Sequence, residues 1–140
     1  MHYPPLVHYT TQPEYRRHFE RIYCKAPIVT FDGIPIRFKK RDFDHAFFES
    51  SREKDDTFST QRAERMDWIK AALQDPHASI YVGWDNRKKR YDKSRRVTIV
   101  QGNYVVVIGF TKRGSGFFIT GFVADSARTL NRIRGGPAWT

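Results

Sequence analysis

The chain is poor in the residues that support covalent or metal-centred chemistry. It has one cysteine in 140 residues, Cys24, which excludes an internal disulfide and suits a reducing compartment. Its five histidines (His2, His8, His18, His45 and His77) are scattered, with no HxxxH or CxxC pair, so neither a metal site nor a cofactor is expected. His18 reads as a surface residue among charges and His77 as a turn residue after Asp75-Pro76. No glycine-rich loop leads into a helix, and Gly114-Ser115-Gly116 reads as a hairpin turn. There is no GxSxG. Paired carboxylates occur only as Asp55-Asp56 in a polar stretch and as Asp42 and Asp44 at a helix start, where caps are the simpler reading. No stretch approaches the roughly 20 apolar residues that cross a bilayer. The start, MHYPPLVHYT, lacks the basic-then-apolar order of a signal peptide.

Acidic residues are scarce in one half only. Residues 79–140 hold 12 basic and 3 acidic side chains, a net +9, against a net +1 for residues 1–78. Seven of the ten residues from Arg87 to Arg96 (RKKRYDKSRR) are Lys or Arg. Simple solubility does not require such segregation, and a polyanionic partner is its usual compensation. An anionic membrane would be met by a basic amphipathic helix, whereas this charge sits on strands and turns. Nucleic acid is the expected partner. The 39% apolar and 15% aromatic content is that of a folded chain.

Helices come first. Thr11–Lys25 has a threonine cap, Pro13 in its first turn, and Tyr15, Phe19, Ile22 and Tyr23 at helical spacing. Ile28–Phe31 and Ile34–Phe38 flank Asp32-Gly33, a favoured hairpin turn. Asp42–Ser50 predicts a short helix, Glu53–Phe58 a loop, and Ser59–Gln74 one helix stopped by Asp75-Pro76. The period then changes to two. Ser79–Trp84, Arg90–Val100, Tyr104–Phe110 and Phe117–Val123 predict four strands whose short connections demand antiparallel pairing. Ser126–Arg134 predicts a last short helix. The order implies an α+β fold in one domain, 1–140, with 1–40 as a helix-and-hairpin extension and 41–140 as the core.

His45 lies beside Phe43, Phe47 and Phe48. An imidazole there could move protons near neutral pH, as cleavage of RNA by its own 2′-hydroxyl requires. Arg90, Lys93, Arg95 and Arg96 could neutralise the developing phosphorane, and Tyr91 and Thr120 could position the phosphate. The simpler readings are a surface histidine and a β-branched strand residue.

The order of these features, over residues 43–125, resembles the phage-type branch of the barnase–EndoU–colicin–RelE nuclease superfamily. The resemblance runs from FDHAFF with His45 through QRAERMDWIKAALQDP with Arg62 and Arg65. It continues through SIYVGW, RKKRYDKSRR, NYVVVIGF and FFITGFVAD with Thr120. It implies a metal-independent endoribonuclease with helices packed on a four-stranded antiparallel sheet. His45 would be the general acid/base, Thr120 would orient the scissile phosphate, and Arg90, Arg95 or Arg96 would stabilise its charge. Arg62, Arg65, Lys88, Tyr91, Lys93 and Arg95 would bind substrate. Members often carry a second histidine soon after the first. Here Glu49-Ser50-Ser51 stand in that region, which leaves its role to Glu49 or Tyr91.

The resemblance also implies a cytoplasmic setting, phage-encoded or as a delivered toxin, with an acidic inhibitor protein as a partner. Two other readings use the same charge. One is a non-catalytic nucleic-acid-binding module, with Tyr91, Trp84 and Tyr104 stacking on bases. The other is a phage structural or interaction domain that meets an acidic protein. Strict alternation would put Lys88, Arg90 and Arg96 on one side of their strand and Arg87, Lys89, Tyr91, Lys93 and Arg95 on the other.

Overall fold

The computed structural model describes residues 3–51 and 54–140. Helix α1 (Gln12–Tyr23) starts where Glu14 Oε1 accepts the Thr11 N–H at 3.1 Å, with Pro13 in the first turn. Its Tyr15, Phe19 and Tyr23 are buried. His18 is buried as well, correcting the surface reading. It sits between the Tyr9 hydroxyl (2.9 Å) and Asp67 Oδ1 (2.7 Å), which take up both ring nitrogens. Strands β1 (Ile28–Val29) and β2 (Pro35–Arg37) pair antiparallel, with Ile28 opposite Ile36. Gly33 closes their turn at φ +84°, where a side chain would be strained.

After a 3-10 turn (Lys40–Asp42), helix α2 covers only Phe43–Ala46, and the chain continues as β3 (Phe48–Ser51), paired antiparallel with β4 (Lys54–Phe58). The longer helix and the following loop are thus corrected. One helical turn suffices to bury Phe43, Ala46 and Phe47, and Phe48 then meets Phe58 across the ribbon with ring centroids 5.5 Å apart. Glu53, at the start of the expected loop, lies outside the described residues.

The expected single helix over 59–74 is two: α3 (Thr60–Ala63), capped by Ser59, and α4 (Met66–Leu73). The backbone carbonyls at the break serve other partners. Glu64 C=O accepts from Val7 N–H at 2.8 Å, Arg65 C=O from the Tyr104 hydroxyl at 3.4 Å, and Met66 C=O from the Tyr23 hydroxyl. No described helix is long and apolar enough to cross a membrane.

Strands β5 (Ser79–Asp85), β6 (Arg90–Val100), β7 (Tyr104–Phe110) and β8 (Gly116–Val123) form the antiparallel meander that the spacing predicts. The sheet does not stop at four strands. β2 joins β8 in parallel, Ile36 opposite Gly116 and Arg37 opposite Phe117, giving a six-stranded mixed sheet in the order β1-β2-β8-β7-β6-β5. Gly116 suits the join, because a Cβ there would press on the end of the Ile36 side chain and lie 3.2 Å from the Pro35 carbonyl oxygen.

Helices α1 to α4 cover one face of the sheet over the main core, which includes Phe19, Phe43, Met66, Ile69, Tyr104, Val106 and Ile108. On the other face a smaller cluster, Val97, Ile99, Val105 and Ala124, is packed by Leu130 and Ile133 of α5 (Ala127–Arg134). The outer edge of β5 is covered by the C-terminal segment, where Val82 N–H donates to Pro137 C=O at 2.9 Å and Trp139 N–H to Ile80 C=O at 3.0 Å. That cover blunts an edge otherwise open to pairing with another chain.

Candidate nucleic-acid site

The basic run folds as the β5–β6 hairpin, and its strand is not regular. Val82 faces Arg96, yet the next residue, Gly83, faces Asp92, so residues 93–95 have no partner on β5 and form a bulge in that pairing. An odd number of extra residues shifts the alternation. Tyr91, opposite Trp84, therefore falls on the side of β5 that Val82 and Arg96 share, which corrects the strict-parity expectation. Trp84 and Tyr91 are both exposed and meet edge-to-face at 5.1 Å.

Arg96 is not available to a substrate. It is 0% exposed, and its guanidinium donates to both Asp32 carboxylate oxygens, at 2.7 and 3.2 Å. The rings of Phe31 and Trp139 lie 5.5 and 5.7 Å from its Cζ. Burial pushes the Asp32 carboxyl up, but hydrogen bonds from Arg96 and Thr30 and the Arg96 charge outweigh it, so its pKa lies below the usual value. Arg96 Nε and Thr98 Oγ1 are buried without a hydrogen-bond partner among the described residues. A phosphate-binding role for Arg96 is thereby corrected: the residue bolts the β1–β2 turn to the sheet.

Its neighbour Arg95 points the other way. Arg95 is opposite Gly109 on β7, and Gly109 is opposite Phe117 on β8. In the next row Val97 faces Val107, and Val107 faces Thr120. Val97 and Val107 belong to the cluster under α5, so Arg95, Phe117 and Thr120 share that face of the sheet. Gly83 leaves room for the Arg95 stem, since a Cβ there would lie 2.8 Å from Arg95 Cβ.

Beyond Phe117 the outer edge of β8 has no strand partner among the described residues, and α2 and α3 pack there instead. His45, exposed on α2, and Arg62 on α3 therefore lie along the strand that carries Thr120. The Arg62 guanidinium donates to Phe48 C=O at 3.1 Å and stands 5.7 Å over the Phe122 ring.

The other expected residues divide differently. Arg65 donates to Gln61 C=O and Glu64 Oε1 at 2.9 and 3.1 Å and lies over Trp68, on the helical side. Arg90 pairs with Asp85 across the hairpin and is exposed. Lys88 Nζ is 3.3 Å from Asp92 Oδ2, whose carboxyl is held down to about 2 by the Ser94 N–H and hydroxyl. Lys93 projects from the bulge and is exposed. Arg95 and Thr120 thus share the α5 face, Arg62 reaches the Phe122 ring, and His45 stands on α2, which packs along β8. Lys88, Arg90 and Tyr91 belong to the hairpin, and Arg65 and Arg96 to the helical side.

Sequence reasoning missed two features of this face. One is Phe117, an exposed aromatic on a strand read only for its threonine. The other is a basic wall contributed by β2 and the turn after it. The signal for the second was present as IRFKKRD, but nothing local placed it beside β8. Among the described residues, no group of three or more His, Cys, Asp or Glu side chains is arranged to hold a metal ion. No family model, curated protein or solved structure matches the chain.

Proposed function

We propose that this protein is a metal-independent endoribonuclease that cleaves RNA through the 2′-hydroxyl next to the scissile phosphate. The observation that carries the reading is the sharing of one sheet face by Arg95 and Thr120, with His45 on the helix packed along the Thr120 strand. In this reading the His45 imidazole takes the 2′-hydroxyl proton as the new 2′-O–P bond forms. The P–O5′ bond breaks, and the leaving 5′-oxygen takes up a proton, giving a 2′,3′-cyclic phosphate and a 5′-hydroxyl. Arg95 offsets the charge that grows on the phosphorane oxygens, and the Thr120 hydroxyl donates to one of them. Glu49, on the strand that follows α2 directly, is taken as the second proton-transfer group, because it is close to His45 in the chain whereas Tyr91 stands on the hairpin. The order of His45, the Arg62 helix, the basic strand and Thr120, which resembles the phage-type nucleases, supports the same reading.

Labelled RNA incubated with the protein in EDTA tests it. Time-dependent cleavage yielding cyclic-phosphate ends is the expected outcome, with loss of cleavage in folded His45→Ala and Thr120→Ala. Wild-type rates in His45→Ala would refute the assignment. Salt-sensitive RNA binding without cleavage would favour the second reading, a binding module, for which the exposed Phe117 between cations on the sheet face is the specific support.

A further inference from the structure

A groove of about 850 Å³ opens between the segment after β2 and the β7–β8 turn, at the end of the sheet away from α5. Arg37, Lys39 and Arg41 form one wall and Lys112 and Arg113 the other, with Phe117 on the floor. All five cations are exposed, and Asp42 is the only acid in the lining. None of the five is held in a salt bridge among the described residues. Five like charges converge here from two segments some 70 residues apart in the chain, and among the described residues only the Asp42 carboxylate, beside Lys39 and Arg41, offsets them. Such an arrangement costs stability through self-repulsion and is relieved by a polyanion.

The floor extends the groove across the sheet. Arg37 lies opposite Phe117, Phe117 opposite Gly109, and Gly109 opposite Arg95, so one row reads cation, aromatic, glycine, cation. The Phe117 ring stands over Gly109, where a Cβ would come within 2.5 Å of it, and it remains 39% exposed. At about 4.8 Å per strand, the backbones of Arg37 and Arg95 lie roughly 5 and 10 Å to either side of that of Phe117, whose ring leans over the strand between it and Arg95. An aromatic face between cations suits an unstacked base with its neighbouring phosphates. A duplex hides its base faces and would use only the charges.

We infer that this groove and the Phe117 platform bind a single-stranded segment of nucleic acid, one base stacked on Phe117 and the backbone laid between Arg37–Arg41 and Lys112–Arg113. The inference deepens the nuclease reading by naming the form of the substrate and its path, and it rests on that reading for the choice of RNA over DNA.

Fluorescence anisotropy with labelled 12-nucleotide single-stranded RNA, single-stranded DNA and duplex RNA tests it, in a His45→Ala background so that the probe stays whole. Phe117→Ala lowers single-strand affinity about ten-fold and leaves duplex affinity unchanged, while Phe117→Tyr restores it. The triple change Arg37→Ala, Lys39→Ala and Arg113→Ala lowers the slope of log affinity against log salt by about 2 for single strands. Thermal melts of each variant show that it is folded. Wild-type affinity and slope in both Phe117→Ala and the triple variant overturn the inference, even if the unmodified protein cleaves RNA. Binding that behaves as stated in a protein that never cleaves upholds the groove and refutes the nuclease. Absence of nucleic-acid binding, with capture of phosphatidylserine vesicles lost in the triple variant, overturns the inference in favour of an anionic membrane surface.

Discussion

Removing the Asp32 carboxylate should destabilise the protein far more than removing the arginine it pairs with. The Arg96 side chain is 1% exposed and that of Asp32 is 34% exposed, so Asp32→Ala strands a charge that water cannot reach. Stranding one partner of a buried pair costs about 3–5 kcal/mol, and the partial exposure of Asp32 places this case at the lower end, about 3 kcal/mol. With about 2.1 cal/mol/K of unfolding entropy per residue, that loss lowers Tm by about 10 °C for a chain of this length. Arg96→Met removes the charge together with its unpartnered Nε and keeps much of the volume. Its stability should stay within about 1 kcal/mol of wild type. The double variant should match Arg96→Met, giving a coupling energy of about 2–3 kcal/mol. Urea titrations and thermal melts of the four proteins read this directly. A small, additive effect of Asp32→Ala would show that the pair behaves as a surface bridge and refute the reasoning. Cleavage completes the test: folded Arg96→Met should keep a near-wild-type kcat on RNA, and loss of kcat would return Arg96 to the chemistry.

Acid should act through the same pair. The folded pKa of Asp32 lies below its unfolded value, so its contribution is fully present above about pH 4 and is lost as pH falls through the depressed value. Melts between about pH 5 and pH 2 should therefore show a steeper fall in Tm for wild type than for Arg96→Met, and parallel curves would contradict the assignment. At the join of β2 to β8, Gly116→Ala drives a methyl group into Ile36 and toward the Pro35 carbonyl. It should cost about 1–3 kcal/mol by denaturant titration, and a neutral result would mean that the parallel join gives way without loss.

The meander was legible because period-two runs separated by connections of a few residues leave antiparallel pairing as the only short route. Helix α1 was legible from its threonine cap and the helical spacing of its aromatics. The parallel join of β2 to β8 was not, since its partners are 80 residues apart and the contact spans two residue pairs, Ile36–Gly116 and Arg37–Phe117. Strand β4 was read as a loop because Lys54-Asp55-Asp56-Thr57 has no apolar alternation, and its ribbon is anchored through Phe48 and Phe58 at one end. The break at Glu64–Arg65 depends on carbonyls taken by Val7, Tyr23 and Tyr104, all distant in sequence. Within the site, the run Arg87–Arg96 announced a polyanion, and alternation put Arg95 and Arg96 on opposite sides, but nothing local said which side was buried. That depended on the carboxylate at the tip of a hairpin 64 residues away, while the register shift at residues 93–95 moved Tyr91 to the side of Arg96.

Arg95 and Arg96 are adjacent and serve opposite faces, and the hairpin between them and the groove connects the two roles. Its tip is held on the helical side by Asp32 and Phe31 against Arg96. Its second strand places Arg37 beside Phe117 on the open side. Arg96 is thus a positioning residue for the groove wall without touching the groove. If so, Asp32→Ala and Arg96→Met should weaken single-stranded RNA binding to the same extent, because each cuts the same tether, even though their effects on stability differ. The loss should appear in KM and in the salt slope while kcat is kept. Binding losses that scale with each variant's stability would instead mean that partial unfolding, and not the position of β2, sets the affinity.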